Sequence, residues 1–121
     1  MPTEGRPLIV CLCGSTKRFM KTGVFASVNR DETLKGNIVV SVGVDMTDRS
    51  QDFLKGITEA EEAIIKSQLD WLHRRKIDMA DVVIILKPTG ESLGKSTGAE
   101  QEYAERLGKH VEVREFPAPE C

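Results

Sequence analysis

The residues best suited to chemistry gather in one stretch of this chain, Lys87 to Leu107 (KPTGESLGKSTGAEQEYAERL). It reads as a Gly/Ser/Thr-rich loop opening a helix, expected over about Gly98 to Leu107, that carries Glu100 in its first turn. Glu100, Tyr103, Ala104 and Leu107 recur at i, i+3, i+4 and i+7, so they share one helix face, the one expected against a sheet. A helix N-terminus favours the ionised carboxylate, which at neutral pH is an anionic nucleophile. The same residue has a purely structural use, because Thr97-Gly98-Ala99-Glu100 spells a capping box. Thr58-Glu59-Ala60-Glu61 spells another with no chemistry attached.

Three further groups stand out. Gly14-Ser15-Thr16-Lys17-Arg18 follows an apolar run and offers backbone amides, two hydroxyls and two cations at a helix start. That composition suits a phosphate or carboxylate, and it equally suits an ordinary N-cap followed by solvated basic residues. Asp70, His73, Asp78 and Asp81 lie near the end of a long helix, and Asp70 and His73 are three apart, close enough to pair on its surface. Asp45 and Asp48 fall beside the expected crevice, where they could bind ribose hydroxyls. Gly90 to Ser96 approaches a Walker A loop but has three residues between its glycines where the motif needs four. No later strand ends in a magnesium-binding Asp, which argues against an NTPase.

The elements that must position these residues follow from periodicity. Pro7 to Cys13 (PLIVCLC), Asn37 to Val42 (NIVVSV) and Val82 to Leu86 (VVIIL) are short apolar runs that read as buried strands. His110 to Val113 begins a more alternating edge strand. Helices are expected from about Lys17 to Leu34, with Met20, Val24 and Val28 inward, and from Thr58 to about Ala80, with Ile65, Leu69 and Leu72 inward. Val44 to Ile57 is a polar loop, and the tail from 115 to 121 is expected to fray. Alternating strands and helices predict a single α/β domain over residues 1–121. Its parallel sheet has order 2-1-3-4 with helices on both faces, flavodoxin-like or Rossmann-like. In such sheets the crevice opens where successive crossovers go to opposite faces, which nominates Gly14 to Arg18 and Lys87 to Gly98, including Ser96 and Thr97.

Composition narrows the function. With 40% apolar residues and a net charge of −2, the chain is an ordinary globular domain with no basic excess for a nucleic acid polymer. No apolar run nears the roughly 20 residues that span a bilayer, and MPTEGRP lacks the regions of a signal peptide, so a cytoplasmic location is expected. Cys11 and Cys13 would face one side of a strand with Cα atoms about 6.6 Å apart, poorly placed for a disulfide. No cysteine or histidine spacing matches a zinc motif, so no metal or cofactor is expected and the thiols read as buried and structural.

Several motifs together resemble the nucleoside 2-deoxyribosyltransferase superfamily, which includes the deoxynucleoside 5′-monophosphate N-glycosidases. They are CGSTKRF after the first strand, the D-x-A-D-V-V-I-I run of Asp78 to Ile85, Ser92-Leu93-Gly94, and Glu100 followed by Tyr-Ala and then Gly-Lys. They cover most of the chain in the family's order. The resemblance implies cleavage or transfer at an N-glycosidic bond, with Glu100 as nucleophile at the anomeric carbon. It implies phosphate contacts from Ser15, Arg18, Ser92 and Gly94, and a homodimer or larger homo-oligomer acting on a small nucleoside or nucleotide. His73 stands where the family usually has an aspartate that handles the leaving base, and an imidazole can donate that proton. The loop between Gly94 and Glu100 is longer than in the hydrolases. The alternative is a non-catalytic nucleotide-binding module of the same fold.

Overall fold

The computed structural model describes residues 6–19, 22–41 and 55–117. Four parallel strands, β1 (Ile9–Cys13), β2 (Ile38–Val40), β3 (Val82–Pro88) and β4 (His110–Phe116), form one sheet of order β2-β1-β3-β4. The helices are α1 (Thr16–Phe19), α2 (Val24–Leu34), α3 (Glu59–Met79) and α4 (Lys95–Arg106). The two central strands are apolar over Ile9–Cys13 and from Val82 to Leu86, where both their faces are covered, and β3 turns polar at Lys87. Val10, Leu12, Ile84 and Leu86 point to one side, where Phe19, Phe25 and Val28 of α1 and α2 meet them. Cys11, Cys13, Val83 and Ile85 point to the other, against Ile77 of α3 and Ala104 of α4. Among the described residues no helix is long and apolar enough to cross a membrane.

Several boundaries differ from those expected. The first helix is broken: Gly23 takes φ +80° and acts as the N-cap of α2, dividing it from a single turn at Thr16–Phe19. β2 pairs over three residues only and is an edge, leaving Ile38 exposed. α4 begins at Lys95, one turn early, with Gly94 as its N-cap. The Thr97–Glu100 capping box is therefore not used, while the one predicted at Thr58 and Glu61 forms in full. The buried side of α3 runs through the half-buried Ile65 and Leu69 to the buried His73 and Ile77, at intervals of four, and Leu72 is exposed. Trp71 is likewise exposed, outside the core. Glu115 and Phe116 belong to β4, and Phe116 meets Phe19 edge to face, so the chain is ordered beyond the point where fraying was expected. Asp45, Asp48 and most of the Val44–Ile57 loop lie outside the described residues.

Short polar ties set the register of this frame. Asp81 accepts from the Ile9 amide at 2.8 Å, and the Asp81 amide donates to the Ile9 carbonyl at 2.8 Å, joining the starts of β1 and β3. Asp78 accepts from the Tyr103 hydroxyl, and its carbonyl accepts from Lys109 Nζ at 2.9 Å, joining α3 to the α4–β4 segment. Both aspartates of the D-x-A-D run thus have positioning work.

Candidate active site

Two adjoining features lie along α4. The first is a cavity of about 140 Å³ beyond the ends of β1 and β3, lined by Ser15, Arg18, Glu91, Ser92, Gly94 and Thr97 among others. It falls short of the roughly 300–1,000 Å³ of a pocket for a drug-sized ligand, so it has room for one part of a nucleotide. Ser15 Oγ accepts from the Arg18 amide at 3.2 Å, capping the short α1. Arg18 Nη2 donates to Glu91 Oε1 at 2.7 Å, so its charge is already balanced across the cavity by a residue the sequence reading did not nominate. Gly94 supplies no side-chain cap, which leaves the first amides of α4 without one.

The second feature centres on His73. Its side chain is almost fully buried, and Nε2 lies 2.7 Å from Glu100 Oε2, 3.2 Å from Cys13 Sγ and 3.9 Å from Cys11 Sγ. Burial alone would drive the imidazole toward its neutral form. Its hydrogen bonds to Cys11 and Glu100, and the charges beside it, outweigh burial and raise its pKa to about 9. The Cys11 thiol is lowered to about 6, chiefly by the hydrogen bond with Cys13, against burial and with help from His73. Cys13 is driven far up by that same bond and by burial. Cys13 is nevertheless the sulfur nearer the imidazole, so the single ionisation belongs to the thiol pair. The imidazole is thus pushed toward its charged form and the thiol pair toward one shared anion.

Glu100 lies in the second turn of α4, beyond the reach of most of the N-terminal dipole, and its carboxylate meets His73 on α3. Neither residue lines the cavity, but Thr97 does, one turn before Glu100. Leu93 separates the two features, lining the cavity and packing against the apolar cluster that holds both cysteines.

The other nominated residues scatter. Gly14 lies beneath the cavity, where a Cβ would come within 2.9 Å of Leu86 Cβ. Thr16 opens α1, and Ser96 is exposed on the first turn of α4; neither lines the cavity. The expected Asp70–His73 pair is not made: Asp70 is exposed while His73 turns inward. The cysteines were expected only as inert thiols, and their convergence with His73 was missed. The interval of four from Ile65 to Ile77 was the signal that places His73 inward.

No protein-family model and no curated protein matches the sequence. Among solved structures, the fold is similar to that of a 2-deoxyribosyltransferase from Leishmania mexicana, with a TM-score of 0.51 and 19% sequence identity. The match covers 90% of this chain and 65% of that one, so the present chain spans somewhat less than two thirds of that enzyme's length. This similarity extends the sequence resemblance to the three-dimensional fold.

Proposed function

We propose that this chain cleaves or transfers at the N-glycosidic bond of a nucleoside or nucleoside 5′-monophosphate, with Glu100 as nucleophile. The observation that carries the reading is the orientation of Glu100. Its carboxylate turns from its own helix to meet the buried His73 imidazole at 2.7 Å, next to a cavity bearing hydroxyls and a cation at the start of α4. The similar fold of a 2-deoxyribosyltransferase supports it. In the reaction, a Glu100 oxygen bonds to C1′ as the C1′–N bond breaks, and the departing base takes a proton from His73. Water or a second base then attacks C1′, releasing Glu100, and in either case the proton that the attacking O–H or ring N–H loses returns to His73. Ser15, Arg18, Ser92, Gly94 and Thr97 hold the 5′ end of the substrate. We place the protein in the cytoplasm as a homodimer or larger assembly whose neighbouring subunit completes the cavity.

The test is incubation with a panel of nucleosides and monophosphates, with chromatography for free base. The wild type releases base, and Glu100→Ala reduces the rate by about 100-fold or more, the lower end of what a positioned acid or base contributes. Release that survives Glu100→Ala refutes the assigned nucleophile. A second reading, a non-catalytic nucleotide-binding module, is favoured by the engagement of Arg18 with Glu91 and of Glu100 with His73. Binding without release, unchanged in Glu100→Gln, would establish it.

A further inference from the structure

We infer that Cys11, Cys13 and His73 form a site for a soft divalent transition-metal ion, Zn²⁺ foremost, with Glu100 as fourth ligand. The sulfur atoms of the two cysteines and a ring nitrogen of His73 all lie within 4.8 Å of one another, and all three residues are buried. Zinc bonded to sulfur at about 2.3 Å and to nitrogen at about 2.0–2.1 Å in a tetrahedron sets S···N at roughly 3.6 Å. The observed S···N separations, 3.2 and 3.9 Å, bracket that value. Glu100 Oε2, 2.7 Å from the same nitrogen, needs to withdraw by only about 0.7 Å to reach tetrahedral ligand spacing.

The construction of the site supports the choice of ion. Alternate residues of a strand place two sulfurs on one face, and their Cα spacing suits two ligands of one ion better than a disulfide; both cysteines are free. Thiolate and imidazole donors select zinc over magnesium or calcium, which require oxygen ligands. Glu100, with about a fifth of its side chain exposed, gives the buried cluster a route to solvent. The inference is independent of the glycosidic reading. If both hold, the ion withdraws Glu100 from C1′ and the His73 nitrogen from proton transfer, but binding is measured without any turnover.

The test is titration of the full, reduced, EDTA-treated protein with Co²⁺ alone, followed by Zn²⁺. One Co²⁺ per chain is expected to bind with the intense visible bands of tetrahedral cobalt and thiolate-to-cobalt charge transfer, and one Zn²⁺ to abolish both. Cys11→Ser and Cys13→Ser each weaken binding by about 100-fold or more, beyond the roughly 10–100-fold of outer-shell changes. Cys121→Ser leaves it unchanged. Should a serine variant fail to fold, the wild type still decides: one equivalent of Zn²⁺ must shift the ring resonances of His73 and not those of His110. Absence of charge transfer at one equivalent, its loss in Cys121→Ser, its persistence in both other serine variants, or a shift at His110 alone would overturn the assignment.

Discussion

Replacing both buried cysteines, as Cys11→Ser/Cys13→Ser, is expected to make folding stability fall as pH rises, where the parent's cluster contributes no slope. In the folded chain His73 titrates at about 9 against 6.5 ordinarily. At about 1.4 kcal/mol per pH unit, this favours the fold by at most about 3–4 kcal/mol. Because the folded pKa is the higher one, that contribution is complete below pH 6.5 and lost as pH rises through 9. The Cys11 thiol, lowered from 9.0 to about 6, behaves oppositely: its contribution is absent below 6 and complete above 9. Between pH 6.5 and 9 the folded cluster therefore holds its labile proton on His73 and the unfolded chain holds one on the thiol. Equal proton counts give zero slope.

Both thiols must be removed, because Cys13, 3.2 Å from the same nitrogen, would replace Cys11 as the anion in a single variant. In the double variant only the folded state retains a proton above pH 6.5. Cys11 supplies part of the present shift and Glu100 the rest, so the expected loss between pH 6.5 and 9 is about 1–3 kcal/mol. Urea unfolding at constant ionic strength, with EDTA and reductant, measures it as the difference between variant and parent at each pH. That subtraction cancels every other titrating group and turns the cost of altered packing into a constant offset. A difference that does not change with pH would show that the imidazole does not carry the proton, and the ionic reading of the cluster would fail.

Other expectations test the frame and the cavity. Glu32 is buried on α2, accepting from Lys35 at 2.9 Å, Asn37 at 3.2 Å and Arg114 at 3.1 Å. Glu32→Ala should cost about 2–3 kcal/mol, or a Tm drop of about 8–12 °C by calorimetry; an unchanged Tm would show that these bonds add nothing net. Although burial opposes it, those partners hold the Glu32 carboxyl below its usual range, so the contribution is present near neutrality and disappears in acid. Gly14→Ala should destabilise by about 1–3 kcal/mol in urea unfolding, since its Cβ meets Leu86 and Phe25, both in the core. Glu91→Gln frees Arg18 and should tighten binding of a nucleoside monophosphate roughly fivefold, the ~1 kcal/mol of a well-formed partly exposed ion pair, by calorimetric titration. Weaker binding would mean that Glu91 itself holds the ligand.

The sheet was legible because the apolar runs of its central strands are unbroken up to Cys13 and Leu86, and because parallel order follows from alternating elements. The capping box at Thr58 was legible for the same local reason. The break before Gly23 and the early start of α4 were not. Both depend on glycines serving as N-caps without a side-chain hydrogen bond, which leaves little mark in residue type. The crevice loops could be nominated from topology, yet the partner of Arg18 could not, since Glu91 lies 73 residues away. The same distance problem hid the cluster. Cys13 and His73 are 60 residues apart and meet only when α3 docks on β1. The inward stripe expected for α3 took in Leu72 and left His73 to pair with Asp70, when its interval of four with Ile65, Leu69 and Ile77 placed it with the core.

Asp78 gives the molecule an uneven stiffness. Because it holds α4 through Tyr103 and the start of β4 through Lys109, the helices that carry Glu100 and His73 are braced to each other. Across the cavity, the reach of Arg18 to Glu91 is one exchangeable ion pair. A guest entering the crevice therefore meets a wall that keeps its shape and one that can be re-formed around it. Differences in what is accommodated should trace to the yielding side.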